Sequence, residues 1–442
     1  MSSSWREQIA GLSLIQCVNL QPSQNNRSLE VEAPENNGRL REVLRTREVL
    51  IDFFIYNSAY NITTKKEHCS TMEINEFKLE RYFAVHEFSA QYLLSPSDCE
   101  SLTMKELVDN ADQDSLRLWQ NLKLSYTESM GHPVLREEIA GLYQDIGASN
   151  VITAVPEEAI FITMHALLEE DDHVIIIDPV YQSLKEIPAS IGCSITPWPM
   201  EEKDNRWHLD LDLLEKSITA ETKMLIVNFP HNPTGYLPNP EQFNRIIEIV
   251  RRHDLYIFSD EMYWLLEHEG QRRLPPAVDC YEKAITLFGL SKTFSLPGLR
   301  VGWIVTREDA MLRRLSALKD YTTICGSAPG EILAIMALRQ KETILEANQN
   351  RIRTNLEAAR EFFTRHDRLF TWLEPLGGST AFIKLNPAIS VVEFCEKLLE
   401  EKSIMIVPGE IFDYEGNYFR VGLGRDNFKE IIHELEDYVI KL

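Results

Sequence analysis

Four short segments carry side chains whose types could act together on a small molecule. GLSKTFSLPGLRVG, residues 289–302, sets a lysine, Lys292, at the end of a buried apolar strand and an arginine, Arg300, eight residues later beside Pro297, Gly298 and Gly302. An amine there can add to a carbonyl and afterwards carry a proton to and from carbon. A guanidinium offers a fork of donors to an anion. Upstream, NFPHNPTG (228–235) brings Asn232, and SDEMY (259–263) brings Asp260 and Tyr263. Near the far end, VPGEIF (407–412) is followed by YFRVGLG (418–424), which brings Arg420. Each is ordinary when taken alone: N-P-T-G is good turn chemistry, an acid can cap a helix, and a strand arginine can sit in a salt bridge. Their order along one chain makes them a set.

That set resembles the class I/II aminotransferases, the fold-type I enzymes of pyridoxal phosphate. The family's lysine signature is met at Gly289, Ser291, Lys292, Ser295, Gly298, Arg300 and Gly302. The resemblance implies that Lys292 forms a Schiff base with the aldehyde of pyridoxal 5'-phosphate, is displaced by a substrate amine and then shuttles a proton at the α-carbon. It gives the cofactor phosphate to Arg300 and the Ser291 hydroxyl, with Gly298 letting the backbone come close. Asn232 and Tyr263 are then the partners of the phenolic oxygen. Asp260 pairs with the pyridine nitrogen and keeps it protonated, so that the ring accepts electrons. Tyr181, in DPVYQ (178–182), stacks on the ring. Arg420, with Asn232 beside it, fixes the α-carboxylate of an amino acid in two-pronged fashion. Tyr126, opening YTESMGHPVLREEIA (126–140), reaches the phosphate of a neighbouring subunit, so the resemblance implies a homodimer.

The chain departs from the family at one corner. Where members open a helix with glycine and small hydroxyl residues around the phosphate, this sequence reads Val155, Pro156, Glu157, Glu158. Proline has no N–H, and two carboxylates repel phosphate. The positions of Glu157 and Glu158 therefore serve the cofactor only through helix amides, with Arg300, Ser291 and Tyr126 carrying the rest. Gly289 likewise leaves no hydroxyl where many members have serine.

Those residues need a scaffold, and the chain between them alternates apolar strand runs with helices. HVIIIDP, CSITPW, KMLIVNFP, LYIFSDEMY, AITLFGLS and VGWIVT read as strands. PEEAIFITMHALL, QSLKEIPASIG and EQFNRIIEIVRRH read as helices, the second closing on Gly192. Such alternation predicts an α/β domain with a mostly parallel sheet covered on both faces. Beyond about residue 307 the pattern is helical to 366, and AFIKL, SIMIVPG and YFRVGLG then alternate with helices as in a smaller α+β domain. The expected organisation is a loosely ordered extension over 1–71, an arm over 72–115 joining the small domain, a large cofactor domain over 116–306, and a connecting helix with the small C-terminal domain over 307–442.

The 442 residues are 44% hydrophobic and 26% charged, as in a globular protein, and no apolar run reaches membrane-spanning length. Net charge is −23, with the first 71 residues balanced at 8 basic and 8 acidic, so the acidity lies in the rest. Such a field argues against nucleic acid as a partner. Seven cysteines without ligand spacing argue for a cytoplasmic chain with reduced thiols and no metal site.

The phrases NFPHNPTG, LSKTFSLPGLRVGW, KDYTT and IVPG resemble most the capreomycidine synthase branch of the family. That branch implies a cyclodehydratase, which eliminates a β-hydroxyl from a hydroxylated, guanidine-bearing arginine and closes a ring. Transamination of an α-amino acid is the first reading and this lyase chemistry the second; the two share their opening steps. A third, an aminotransferase-like ligand sensor with a DNA-binding module, needs a basic winged helix that 1–71 lacks.

Overall fold

The structure, a computed structural model, describes residues 72–442 apart from Pro387 and Ala388. The extension expected over 1–71 lies outside the described residues. The strands of the larger sheet are β1 (Val151–Ala154), β2 (His173–Asp178), β3 (Ser194–Lys203), β4 (Arg206–Leu209), β5 (Thr222–Asn228), β6 (Tyr256–Asp260), β7 (Ala284–Gly289) and β8 (Gly302–Thr306). They join in an eight-stranded sheet of order β1-β8-β7-β6-β5-β2-β3-β4. The run from β7 to β3 is parallel throughout. β8 is antiparallel to both of its neighbours, and β4 returns along β3 as a hairpin. Residues Val174–Ile177 and Met224–Val227 are buried without alternation, because helices cover both faces.

The longest helices among the described residues are α1 (Lys78–His86), α2 (Pro156–Leu167), α3 (Ser183–Ile191), α4 (Pro240–Arg252), α5 (Asp309–Lys319), α6 (Ala328–Arg339), α7 (Lys341–Arg365), α8 (Val391–Lys402) and α9 (Phe428–Val439). Their ends follow local chemistry. α4 starts on Pro240 behind Asn239, whose side chain and that of Gln242 accept each other's main-chain N–H, at 2.8 and 3.0 Å. It buries Phe243, Ile246, Ile247 and Val250 at helical spacing and closes on Arg251 and Arg252, which suit the negative end of the helix dipole. α3 stops at Gly192, whose φ of 102° suits glycine.

The second sheet is antiparallel: β9 (Phe370–Thr371), β10 (Thr380–Leu385), β11 (Val407–Pro408) and β12 (Tyr418–Gly422), in the order β9-β10-β12-β11. Phe363 of α7, Phe394 of α8, Phe370 and Phe419 pack together on it. Tyr92–Leu93 pairs in parallel with Ile404–Met405, which ties the segment after α1 to this part of the molecule. No helix of the described residues is long and apolar enough to cross a membrane.

Two local expectations change. β3 runs past the CSITPW stretch to Lys203 and into the β4 hairpin. Lys292 does not end a strand either: β7 stops at Gly289, and Ser291–Ser295 form a turn that has Ser295 at φ 58°. That turn is pinned from behind, since the Thr293 hydroxyl donates to the carbonyls of Met262 and Trp264 at 3.1 and 2.8 Å. Asn348 of α7 donates to the Thr293 carbonyl at 3.0 Å.

Gly289 and Gly302 face each other across β7 and β8. A Cβ at Gly302 would stand 2.9 Å from Pro156 Cγ and 3.0 Å from the Phe288 carbonyl, so the missing side chain is what lets the start of α2 reach the sheet. Gly302→Ala should destabilise the protein by about 1–3 kcal/mol, as overpacking does. A thermal unfolding midpoint equal to that of the unaltered protein would contradict this close approach.

Candidate active site

In a parallel sheet the strands deliver their last residues, and the loops after them, to one edge, where a crevice opens. Here β2 ends at Asp178, β5 at Asn228, β6 at Asp260 and β7 at Gly289. A cavity of about 560 Å³ lies there, lined by Asn232, Asp260, Tyr263, Tyr181, Ser291, Lys292, Arg300, Arg420 and Glu157 among others. The structure thus gathers nine of the residues singled out in the sequence, drawn from helix, strand and loop positions between Glu157 and Arg420.

Asp260 is 6% exposed, and its carboxyl receives one hydrogen bond, from the Met262 amide at 3.1 Å. Burial pushes that carboxyl up to about 6, against the pull of the Met262 amide and the Lys292 ammonium. It is an acid short of a cationic partner. Lys292 Nζ donates to Ser97 Oγ at 2.9 Å and forms no salt bridge among the described residues. Ser291 Oγ is buried with no hydrogen-bond partner.

Arg420, in the middle of β12, is 1% exposed. Its Nη1 donates to Asn232 Oδ1 at 3.1 Å and its Nη2 to the Ser95 carbonyl at 3.0 Å, while Nε has no partner. The Phe412 and Phe83 rings stand 5.2 and 5.9 Å from the guanidinium carbon. No protein carboxylate pairs with it among the described residues. A buried cation without its anion costs several kcal/mol, which a bound carboxylate can offset.

The loop after β5 is held in place by its own polar groups. Asn228 accepts the Asn232 amide at 2.8 Å and donates to the Asp260 carbonyl at 2.9 Å. Buried His231 donates from Nε2 to the Pro179 carbonyl at 2.7 Å and accepts at Nδ1 from the Thr234 hydroxyl at 2.8 Å. Burial holds its imidazole down at about 4, in keeping with the neutral tautomer these partners need. The bond to Pro179 ties the Asn232 loop to the one that carries Tyr181. The Tyr181 hydroxyl donates to Glu80 at 3.3 Å, and its ring packs 5.1 Å from that of Phe77.

Arg300 is exposed at φ 56°, with Nη1 donating to the Pro297 carbonyl at 3.0 Å, and the space beside Gly298 is open. Two residues do not join the group through their side chains. Glu158 accepts the Val155 amide at 3.3 Å and the hydroxyls of Thr322 and Thr323, so it caps α2 and faces the 322–323 loop. Tyr126 is 86% exposed and lies on the separate surface around Leu122 and Ala328.

The sequence reading missed the segment that covers the cavity. Ser97, Asp98, Phe77, Glu80, Phe83 and Glu87 all line it. Glu80, Phe83 and Glu87 recur at i, i+3 and i+7, the spacing of one helix face, which is the signal that FKLERYFAVHE held. The Glu87 carboxyl has no hydrogen-bonded partner among the described residues. Burial first, then the neighbouring Asp98 and Glu80 carboxylates, raise its carboxyl above the usual range, against Arg425 and Lys292.

The pattern of the aminotransferase class I and II family matches residues 91–433. The chain belongs to that family. Capreomycidine synthase from Streptomyces vinaceus is 28% identical over 348 residues, 78% of this chain and 88% of its own. A PLP-dependent aminotransferase from Streptococcus suis superposes with a TM-score of 0.78 at 30% identity, covering 84% of this chain and 99% of the other. The PLP-dependent cyclase OrfR superposes with a TM-score of 0.77 at 27% identity, covering 85% and 99%. The fold is therefore that of the fold-type I enzymes, the protein is an enzyme, and its cofactor is pyridoxal 5'-phosphate. The cavity fits this group through a buried acid and an amine that form no salt bridge among the described residues, and through the unpartnered Ser291 hydroxyl.

Replacing the buried guanidinium tests the site directly. Arg420→Gln should weaken amino-acid binding by about 10- to 150-fold, the range for a charge-assisted hydrogen bond. An unchanged KM for the best amino-acid substrate would remove Arg420 from the substrate's carboxylate.

Proposed function

We propose that this enzyme is an aminotransferase acting on an α-amino acid in the cytoplasm, with Lys292 as its Schiff-base lysine. The observation that carries this reading is one cavity holding the Lys292 amine, the Asp260 carboxyl and the unpaired Arg420 guanidinium. When bound, pyridoxal phosphate supplies an aldehyde to which amines attach and a cationic ring that draws electrons from the substrate α-carbon. Asp260 then holds a proton on the ring nitrogen, where its carboxylate gains the cation that burial denies it. Lys292 takes the α-proton and returns it to carbon, and Ser97 Oγ steadies the amine between those tasks. Arg420 and Asn232 fix the substrate carboxylate and so orient the α-carbon. Tyr263 and Asn232 would hold the cofactor through its phenolic oxygen, Tyr181 through its ring, and Arg300 and Ser291 through its phosphate. Tyr126, exposed on this chain, serves the phosphate of a second copy in a homodimer.

A second reading, elimination and ring closure on a hydroxylated, guanidine-bearing amino acid, draws on the same opening steps and on α1. Glu80, Glu87 and Asp98 line the cavity, and a guanidinium side chain would supply the charge they lack. Asp98 already contacts Arg425 at 3.4 Å, which leaves Glu87 as the freer acid.

The lysine assignment is checked by spectroscopy. Lys292→Ala should lose the visible absorbance that borohydride removes, and turnover should fall about 10²- to 10⁴-fold; absorbance that still responds to borohydride would assign the imine to another amine. The choice between reactions is read by mass spectrometry of products from amino acids that include hydroxylated arginines. Glutamate formed only when 2-oxoglutarate is present supports transamination, whereas a product lighter by one water without any oxo acid supports the lyase. Under the second reading Glu87→Gln lowers the preference for cationic over neutral substrates about tenfold, and an unaltered preference rules out Glu87 as the recognition group.

A further inference from the structure

One carboxyl in the cavity has no part in the chemistry above. Glu157 sits in the first turn of α2 and lines the cavity with Ser291, Lys292 and Arg300. Its neighbour Pro156 has no N–H to offer. Ser291 Oγ, buried and unpartnered, shows that this end of the cavity lacks an acceptor which a ligand must bring. A phosphate brings several, and the start of a twelve-residue helix favours an anion. An ionised Glu157 would oppose it.

The charged surroundings decide which form Glu157 takes. Glu80 from α1 and Asp260 from the end of β6 act on it with negative charge, and Arg300 from the loop after β7 acts with positive charge. Lys292 shares the cavity, and Tyr181 stands beside it after β2. From α3, the Ser183 hydroxyl donates to Glu157 Oε2 at 3.3 Å, and Glu186 lies in the adjoining depression with its carboxylate held by Asn75 at 2.8 Å. On its own helix, Glu158 is turned toward Thr322 and Thr323. No salt bridge reaches Glu157 among the described residues. Burial above all, with Glu80 and Asp260 adding to it against Ser183 and Arg300, holds the carboxyl up at about 7.

We infer that Glu157 meets the cofactor phosphate as a neutral carboxylic acid that donates a hydrogen bond, so that binding pyridoxal phosphate takes up a proton and the cofactor loosens as pH rises. The inference rests on pyridoxal phosphate as cofactor and is independent of which reaction follows. The direction comes from linkage. A phosphate dianion raises the carboxyl further, so the bound state holds more protons than the free one wherever free Glu157 is ionised. Below about pH 7 the free protein already carries the proton and this group adds no dependence. Above it, affinity falls by up to about tenfold per pH unit.

The experiment titrates apoprotein with pyridoxal phosphate and with pyridoxal from pH 6 to 9, following tryptophan fluorescence. It is run on the full chain and in a Lys292→Ala background, where imine formation adds no pH dependence of its own. Ionisation of the phosphate near pH 6 is common to all forms and cancels in the comparison. The Kd for pyridoxal phosphate is expected to rise above pH 7 in protein with Glu157 intact. Glu157→Gln, which keeps a donor of the same size, should flatten that rise and bind at least tenfold tighter at pH 8.5. Glu157→Thr, a smaller donor, should flatten it too. Pyridoxal, lacking the phosphate, should be indifferent to either change. Equal slopes with and without the carboxyl would overturn the inference, as would pyridoxal responding like its phosphate. Failure of every form to bind pyridoxal phosphate would instead sink the cofactor assignment itself, and the inference with it.

Discussion

Charge imbalance inside one cavity is the constraint on which the rest of this structure depends. Arg420 is buried without an anion, Asp260 is buried without a cation, and both are held by hydrogen bonds that leave their charge uncompensated. Neither arrangement favours folding, because each group is desolvated without the pairing that repays desolvation. The fold must therefore supply the cost elsewhere, in the apolar strands beneath the crevice and the aromatic cluster behind β12. A positively charged group would balance Asp260, and a negatively charged one would balance Arg420. A protonated pyridine ring and an amino-acid carboxylate answer to that description.

Most of this could be read from the chain. Five parallel strands and their helices were legible because apolar runs such as HVIII and MLIV appear without alternation, which only a sheet covered on both faces requires. The set of Asn232, Asp260, Tyr263, Lys292 and Arg420 was legible by motif, and its convergence follows from topology, since strand ends of a parallel sheet share one edge. The position of Lys292 was misjudged by three residues because the apolar run continues past Gly289 into a turn that side chains, and not ladder bonds, hold in place. The segment lining the cavity from α1 escaped notice for a different reason. The spacing of Glu80, Phe83 and Glu87 marks a helix face but not what that face meets, and they reach the cavity only through the tertiary pairing of Tyr92–Leu93 with Ile404–Met405.

The departure at Val155–Glu158 shows how unlike two adjacent glutamates can be. Glu158 is spent on the helix start and the 322–323 loop, where its charge is matched by donors. Glu157, one residue earlier and about 100° around the helix, turns into the cavity and meets burial and other acids. Sequence alone offered only the repulsion of both from phosphate; the geometry separates a capping carboxylate from one whose protonation is linked to the ligand.

The most direct test of the account is a crystal structure of the holoenzyme with an unreactive α-methyl amino acid bound. The account predicts the ligand carboxylate on both arms of Arg420, with the cofactor ring nitrogen against the Asp260 carboxylate in the same cavity. An Arg420 paired with a protein carboxylate, or a ring nitrogen facing away from Asp260, would contradict it.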